Sequence, residues 1–99
     1  MTDITVEELK QRMDAGEKLN VVDVREEWEF DEFNIGARLI PLAELPSRLN
    51  EIEDLKDKEL ILHCRSGGRS GQAKNFLASK GFTNVRNLLG GMLEWQKKS

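Results

Sequence analysis

Glu59-Leu60-Ile61-Leu62-His63-Cys64-Arg65-Ser66-Gly67-Gly68-Arg69-Ser70 is the stretch on which the fold turns. Its first half is a short apolar run with the length of a strand buried on both faces. Its second half holds two adjacent glycines, which let the backbone turn tightly. Behind the turn, Ala73, Phe76 and Leu77 stand at the spacing of an apolar helical stripe, and Gly81 supplies a left-handed stop. Strand, tight turn and helix in this order form the unit from which parallel sheets are built.

The same alternation extends in both directions. Upstream, Thr5-Val6-Glu7-Glu8 has the capping-box pattern, Val6, Leu9 and Met13 recur at helical spacing, and Gly16 ends the helix. Asn20-Val21-Val22-Asp23-Val24 reads as a buried strand, rich in β-branched residues. The acidic segment 26–31 carries Trp28 and Phe30 and reads as a short helix over the sheet. Leu39-Ile40-Pro41 reads as a brief strand ended by proline, and residues 42–52 as helical, divided or bent at Pro46. Downstream, Val85-Arg86-Asn87-Leu88 reads as a strand. Gly90-Gly91 then leads a last helix with Met92, Leu93 and Trp95, closed by Lys97 and Lys98, whose charges suit a helix C-terminus. The expected architecture is α/β, a mostly parallel sheet with helices on both faces and right-handed crossovers.

Ninety-nine residues suffice for one core and leave no room for a second, so residues 1–99 are read as a single domain. A hydrophobic fraction of 38% with 33% charged residues is that of an ordinary folded protein. The net charge of −3 argues against nucleic acid or an anionic membrane as partner. No apolar run approaches bilayer length. Met1-Thr2-Asp3-Ile4-Thr5 has neither the basic nor the apolar region of a signal peptide, so a cytoplasmic location is expected. One cysteine excludes an internal disulfide, and one cysteine with one histidine cannot complete a tetrahedral zinc site; no metal is expected.

In a parallel α/β sheet, ligands bind at the carboxyl ends of the strands, which is where Cys64 falls. The Gly67-Gly68 turn lets several backbone N–H groups converge, and the following helix adds the positive end of its dipole. Arg65 and Arg69 bring formal positive charge. These features describe an anion cradle with Cys64 at its edge, an environment that lowers a thiol pKa and makes the thiolate a nucleophile. Ser66 and Ser70 are read as donors to an anion or as helix caps, and capping alone accounts for Ser70. His63, the only histidine, points to the opposite face of its strand and is read as packed or partly exposed rather than as a base. The loop lacks the lysine-serine ending of a Walker A loop and the G-x-G-x-x-G fingerprint, so nucleotide binding is set aside.

Taken together, the chain resembles a single-domain rhodanese, a sulfurtransferase-type module, over nearly its whole length. The resemblance rests on several pieces in order: Val22-Asp23-Val24-Arg25 before Glu26-Glu27-Trp28-Glu29-Phe30, then Gly36-Ala37 before Ile40-Pro41, the loop from Cys64 to Ser70, and Leu89-Gly90-Gly91 before Trp95. It implies a sheet of about five strands and a cysteine loop, Arg65, Ser66, Gly67, Gly68, Arg69 and Ser70, that cradles a persulfide on Cys64. It further implies that a donor such as thiosulfate loads the sulfur and that cyanide or a cellular thiol, on a small molecule or a protein, removes it. No cofactor is implied. Asp23 and Arg25 carry over as supporting residues, either a brace or part of the substrate entrance. One departure stands out. Many relatives have a histidine before Ile-x-Gly-Ala, where this chain has Phe33-Asn34-Ile35-Gly36-Ala37.

Two other classes compete with that reading. Related folds use Cys-x5-Arg loops in phosphatases and arsenate reductases, but only four residues separate Cys64 from Arg69, a ring better sized for sulfur than for phosphate. A non-catalytic interaction module is the third class, against which stand the intact cysteine, glycines and arginines.

Overall fold

A computed structural model describes residues 2–98. Its elements are α1 (Val6–Asp14), β1 (Val21–Asp23), α2 (Glu27–Glu32), β2 (Arg38–Leu39), β3 (Leu60–His63), α3 (Gly68–Ser79), β4 (Val85–Asn87) and α4 (Gly91–Lys97). The strands form one parallel sheet in the order β2-β1-β3-β4. A further parallel bridge joins Ile4 to Leu88 alongside β4, so the sheet comes close to the expected five strands.

Alternation along the strands divides the core in two. Leu60, Leu62 and Cys64 face one side with Val22, Val24 and Ile40, where Ala73 and Leu77 of α3 cover them. Ile61 faces the other side with Ile4, Val6, Leu9, Leu88 and Met92, beneath α1 and α4. Both faces of the sheet are therefore covered, as parallel strands require.

The first turn of α1 is closed by the Thr5 hydroxyl, which accepts from Glu8 N at 3.1 Å. The Glu8 carboxylate turns instead to Arg12 and Arg86. The helical expectation for 42–52 needs revision: the chain there makes short 3-10 segments, Leu42–Glu44, Pro46–Glu51 and Glu53–Leu55. Pro46 can donate no backbone hydrogen bond, and Arg48 adopts a non-helical φ of −113°, so no α-helix propagates. These turns still bury Leu45 and Ile52 against the α3 face. Two apolar readings also shift. Trp28 on α2 is 63% exposed and Met13 on α1 is 36% exposed, so neither belongs to the core.

Candidate active site

Cys64 follows the last residue of β3, on the side of the sheet covered by α3. Its sulfur is the focus of three donors: Gly67 N at 3.1 Å, Ser70 N at 3.4 Å and Ser70 Oγ at 3.3 Å. Gly67 makes this possible. It caps α3 with φ at +108°, a left-handed conformation open to glycine, and so turns its own N–H back onto the sulfur. Burial pushes the Cys64 thiol up, but the Ser70 hydroxyl and the N–H groups of Ser70, Gly67 and Ser66 more than offset this, and the thiol lies below its ordinary pKa.

Ser70 is thus more than a helix cap. It lies inside α3, fully buried, and reaches the sulfur directly. Ser66 and Gly68 are exposed on the outer rim of the loop. The arginines divide. Arg69 is locked in a two-pronged pair with Glu29 of α2, at 2.6 and 2.8 Å, which cancels most of the charge it would bring to the sulfur. The same pairing holds Glu29 at a pKa of about 2. Arg65 is exposed and makes no ion pair among the described residues. Hydrogen bonds, more than net positive charge, stabilise this thiolate.

Asp23 and Arg25 form a buried pair, and Arg25 also lines the groove beside Arg65. The guanidinium donates to both Asp23 oxygens at 2.8–3.0 Å and reaches the carbonyls of Glu29 and Phe33. The end of β1 is thereby tied to α2, and α2 holds the loop through Glu29 and Arg69. His63 occupies the other face of β3, fully buried, with Nε2 3.8 Å from Asp23 and neither ring nitrogen hydrogen-bonded. Burial pulls its pKa down to about 4, so it is a neutral packed residue.

Three contributors lay outside the sequence reading. Glu29 is one. Asn87, at the end of β4, donates from Nδ2 to Gly67 O at 3.1 Å and accepts from the Ser70 hydroxyl at 2.5 Å. Gly91 is the third: a Cβ there would lie 2.5 Å from Cys64 O and 2.7 Å from Arg65 O. Those carbonyls accept from Met92 N at 2.9 Å and Leu93 N at 3.0 Å, so the start of α4 clamps the loop from behind. Leu89-Gly90-Gly91 was visible as a motif, but nothing in its spacing pointed to this contact.

Beside the loop, Arg65 lines a groove of about 150 Å³ with Trp28, Phe33, Met92, Leu93 and Gln96. Phe33 supplies an apolar wall of this groove and a backbone acceptor for Arg25. A larger cleft of about 350 Å³ lies at the opposite end of the sheet, against Met13, Leu19, Asn20, Ile35 and Leu55, remote from the cysteine.

The model for the rhodanese-like domain matches residues 5–98. The chain belongs to the rhodanese family. This rhodanese is 36% identical to a sulfurtransferase of Allochromatium vinosum over 98% of its own length and 90% of that protein. Relative size varies: it is 38% identical to YrkF of Bacillus subtilis over 98% of its own length but spans only 52% of that protein. Among solved structures, a rhodanese-like domain protein of Staphylococcus aureus superposes with a TM-score of 0.87 at 32% identity, covering 96% of this chain and 91% of that one. The human single-domain sulfurtransferase TSTD1 gives 0.83 at 28% identity, covering 98% and 96%. The rhodanese family and fold account for the parallel sheet and for the position of the loop. Among the described residues no helix is long and apolar enough to cross a membrane.

Proposed function

We propose that this domain carries sulfane sulfur on Cys64, taking it from a donor such as thiosulfate and passing it to a thiophilic acceptor. The observation that carries the reading is the convergence of Gly67 N–H, Ser70 N–H and the Ser70 hydroxyl on one sulfur atom. Such donors stabilise an anion at that point, whether the thiolate or the outer sulfur of a persulfide.

In the first step the Cys64 thiolate attacks the outer sulfur of thiosulfate. A new S–S bond forms on Sγ, the S–S bond of thiosulfate breaks, and sulfite departs with the electron pair. In the second step the acceptor attacks the terminal sulfur, the bond to Sγ breaks, and the thiolate returns. Cyanide would leave as thiocyanate, and a thiol as a persulfide. The electrons balance without an added oxidant, reductant or cofactor. Arg65, free of any counterion among the described residues, is suited to an anionic donor. The adjoining groove, with Trp28, Phe33 and Leu93 on its walls, gives an organic thiol or a partner protein's cysteine an apolar place to rest. Asp23 and Arg25 support the loop from below. The reading puts the domain in the cytoplasm, where a lone thiol stays reduced.

Incubation with thiosulfate followed by mass spectrometry tests this directly. A gain of about 32 Da, one sulfur atom, is expected on the peptide containing Cys64, to be lost on adding cyanide and absent in Cys64→Ser. Absence of the adduct from the unmodified protein would point to an interaction module. Hydrolysis of p-nitrophenyl phosphate that depends on Cys64, without sulfur transfer, would make the enzyme a phosphatase. The pairing of Arg69 with Glu29 disfavours that outcome, because the guanidinium is not free for a phosphate.

A further inference from the structure

Ser70 has one hydroxyl hydrogen and three acceptors within reach: Asn87 Oδ1 at 2.5 Å, Cys64 Sγ at 3.3 Å and Gly67 O at 3.4 Å. The orientation of the Asn87 amide is not free. Its Nδ2 faces the carbonyl of Gly67, which can only accept, so Oδ1 must face Ser70. The residue itself is pinned by its backbone N–H, which donates to Asp3 at 3.0 Å, and Asp3 is held in turn by Lys74 at 2.6 Å. An amide oxygen is a better acceptor than a neutral thiol, and it is the nearer of the two. While Cys64 is protonated, the hydrogen of Ser70 therefore belongs to Asn87, and the Ser70 oxygen is left to accept from the thiol.

We propose that Asn87 is a positioning residue that acts on Cys64 through Ser70, withholding the hydroxyl hydrogen from the neutral thiol and yielding it only to a sulfur anion. Loss of the thiol proton turns the sulfur into a strong acceptor. The hydroxyl then rotates about its C–O bond and donates to Sγ, leaving its oxygen lone pairs against Asn87 Oδ1. That opposition costs free energy, so the amide holds the thiolate back from its maximum stabilisation. A thiolate that is too stable is a poorer nucleophile, because nucleophilicity falls with pKa. Asn87 thus tempers a cradle that would otherwise favour the anion more strongly. This inference rests on Cys64 being the sulfur-carrying nucleophile, but its test reads the thiol itself and not sulfur transfer.

The charged groups around the sulfur are Arg65 and Arg69 on the loop and α3, Glu29 on α2, and Asp23, Arg25 and His63 at the ends of β1 and β3; Asp3 and Lys74 lie behind Asn87. Glu29 and Arg69, each held by the other, keep their charge, and His63 stays neutral, throughout the range in which a thiol titrates.

Thiolate absorbance in the ultraviolet, followed against pH on the full chain, gives the decisive readout. The chain has one cysteine and no tyrosine, so a single group supplies the signal. Ser70→Ala, which removes the switching donor, should titrate about one pH unit higher than the unmodified protein. Asn87→Leu, which removes the competing acceptor together with the Nδ2 donor to Gly67 and keeps the branched shape, should titrate lower by a similar amount. In the double variant the effect of Asn87→Leu should vanish, because its intermediary is gone. A thiol that titrates higher in Asn87→Leu, or a shift that survives in the Ser70→Ala background, overturns the proposal. If Asn87→Leu does not fold, Asn87→Ala decides: it too lacks the competing acceptor, and a thiol titrating no lower than in the unmodified protein overturns the proposal equally. Failure of thiosulfate to load Cys64 with these titrations as expected would defeat the proposed sulfur transfer and leave the role of Asn87 standing.

Discussion

Asp23 and Arg25 are both buried, and each satisfies the other. Removing one charge of such a pair is costlier than never having had it, because the remaining charge has lost its water and its partner. Asp23→Asn is therefore expected to destabilise the domain by about 3 kcal/mol or more, read as a lower urea midpoint with the slope unchanged. An unchanged midpoint would mean that the brace carries no stability. Glu29→Gln should act differently, since Arg69 is freed beside the sulfur: the Cys64 thiol should titrate lower in this variant, and a thiol titrating no lower would show that the guanidinium does not reach it. These two residues mark the boundary of what could be read beforehand. Cys64 and Gly67 were legible because their partners are a few positions away in one contiguous loop, whereas capping alone had accounted for Ser70, whose hydroxyl reaches the sulfur. Glu29 meets Arg69 across 40 positions and Asn87 meets Ser70 across 17, and no local pattern signals pairs that only the assembled sheet creates.

At the scale of elements, the tight point is the start of α4 against the cysteine loop. Gly91 has φ at +56°, and a side chain there would strike two carbonyls that α4 itself holds by hydrogen bonds. Gly91→Ala combines a disfavoured backbone conformation with overpacking, a cost of about 3 kcal/mol in all. It should also push the Cys64 and Arg65 carbonyls away from α4 and loosen the cradle. Thermal unfolding and thiosulfate loading measure the two effects, and a variant of unchanged stability would show that the clamp is not tight. The helices and strands were legible where periodicity extended over several residues or a cap was explicit, as in α1, β3 and α3. Residues 42–52 were not, because apolar positions spaced for a helix are equally served by successive 3-10 turns, and the choice is made by Pro46 and by packing against α3. The short helix expected over 26–31 is present as α2, but burial on it runs against residue type. Its aromatic Trp28 is exposed and its carboxylate Glu29 is buried, since that helix is anchored by ion pairing to the loop rather than by apolar burial.

For the whole molecule, stability against acid follows from groups spread over both faces of the sheet. His63 has a pKa of about 4 in the folded protein, against an ordinary value of 6.5. Between those values the unfolded chain takes up a proton that the folded protein refuses, so stability falls as the pH drops from 6.5 toward 4. The whole loss amounts to about 3 kcal/mol. A second loss follows at lower pH. Glu29, held by Arg69, and Glu59, held by Arg12 and Arg86, both have pKa values near 2 against 4.5. The unfolded chain again binds more protons, and the pairs that join α2 to the loop, and α1 to β3 and β4, are lost as the pH passes from 4.5 to 2. His63→Leu separates the stages. It replaces two unsatisfied ring nitrogens with apolar surface, so stability at neutral pH should hold or rise. The fall between pH 6.5 and 4 should be abolished, while the lower one persists. Urea midpoints from neutral pH down to about pH 3 give the comparison. A His63→Leu protein that still weakens through the upper range would assign that loss to another group and leave the buried histidine a bystander.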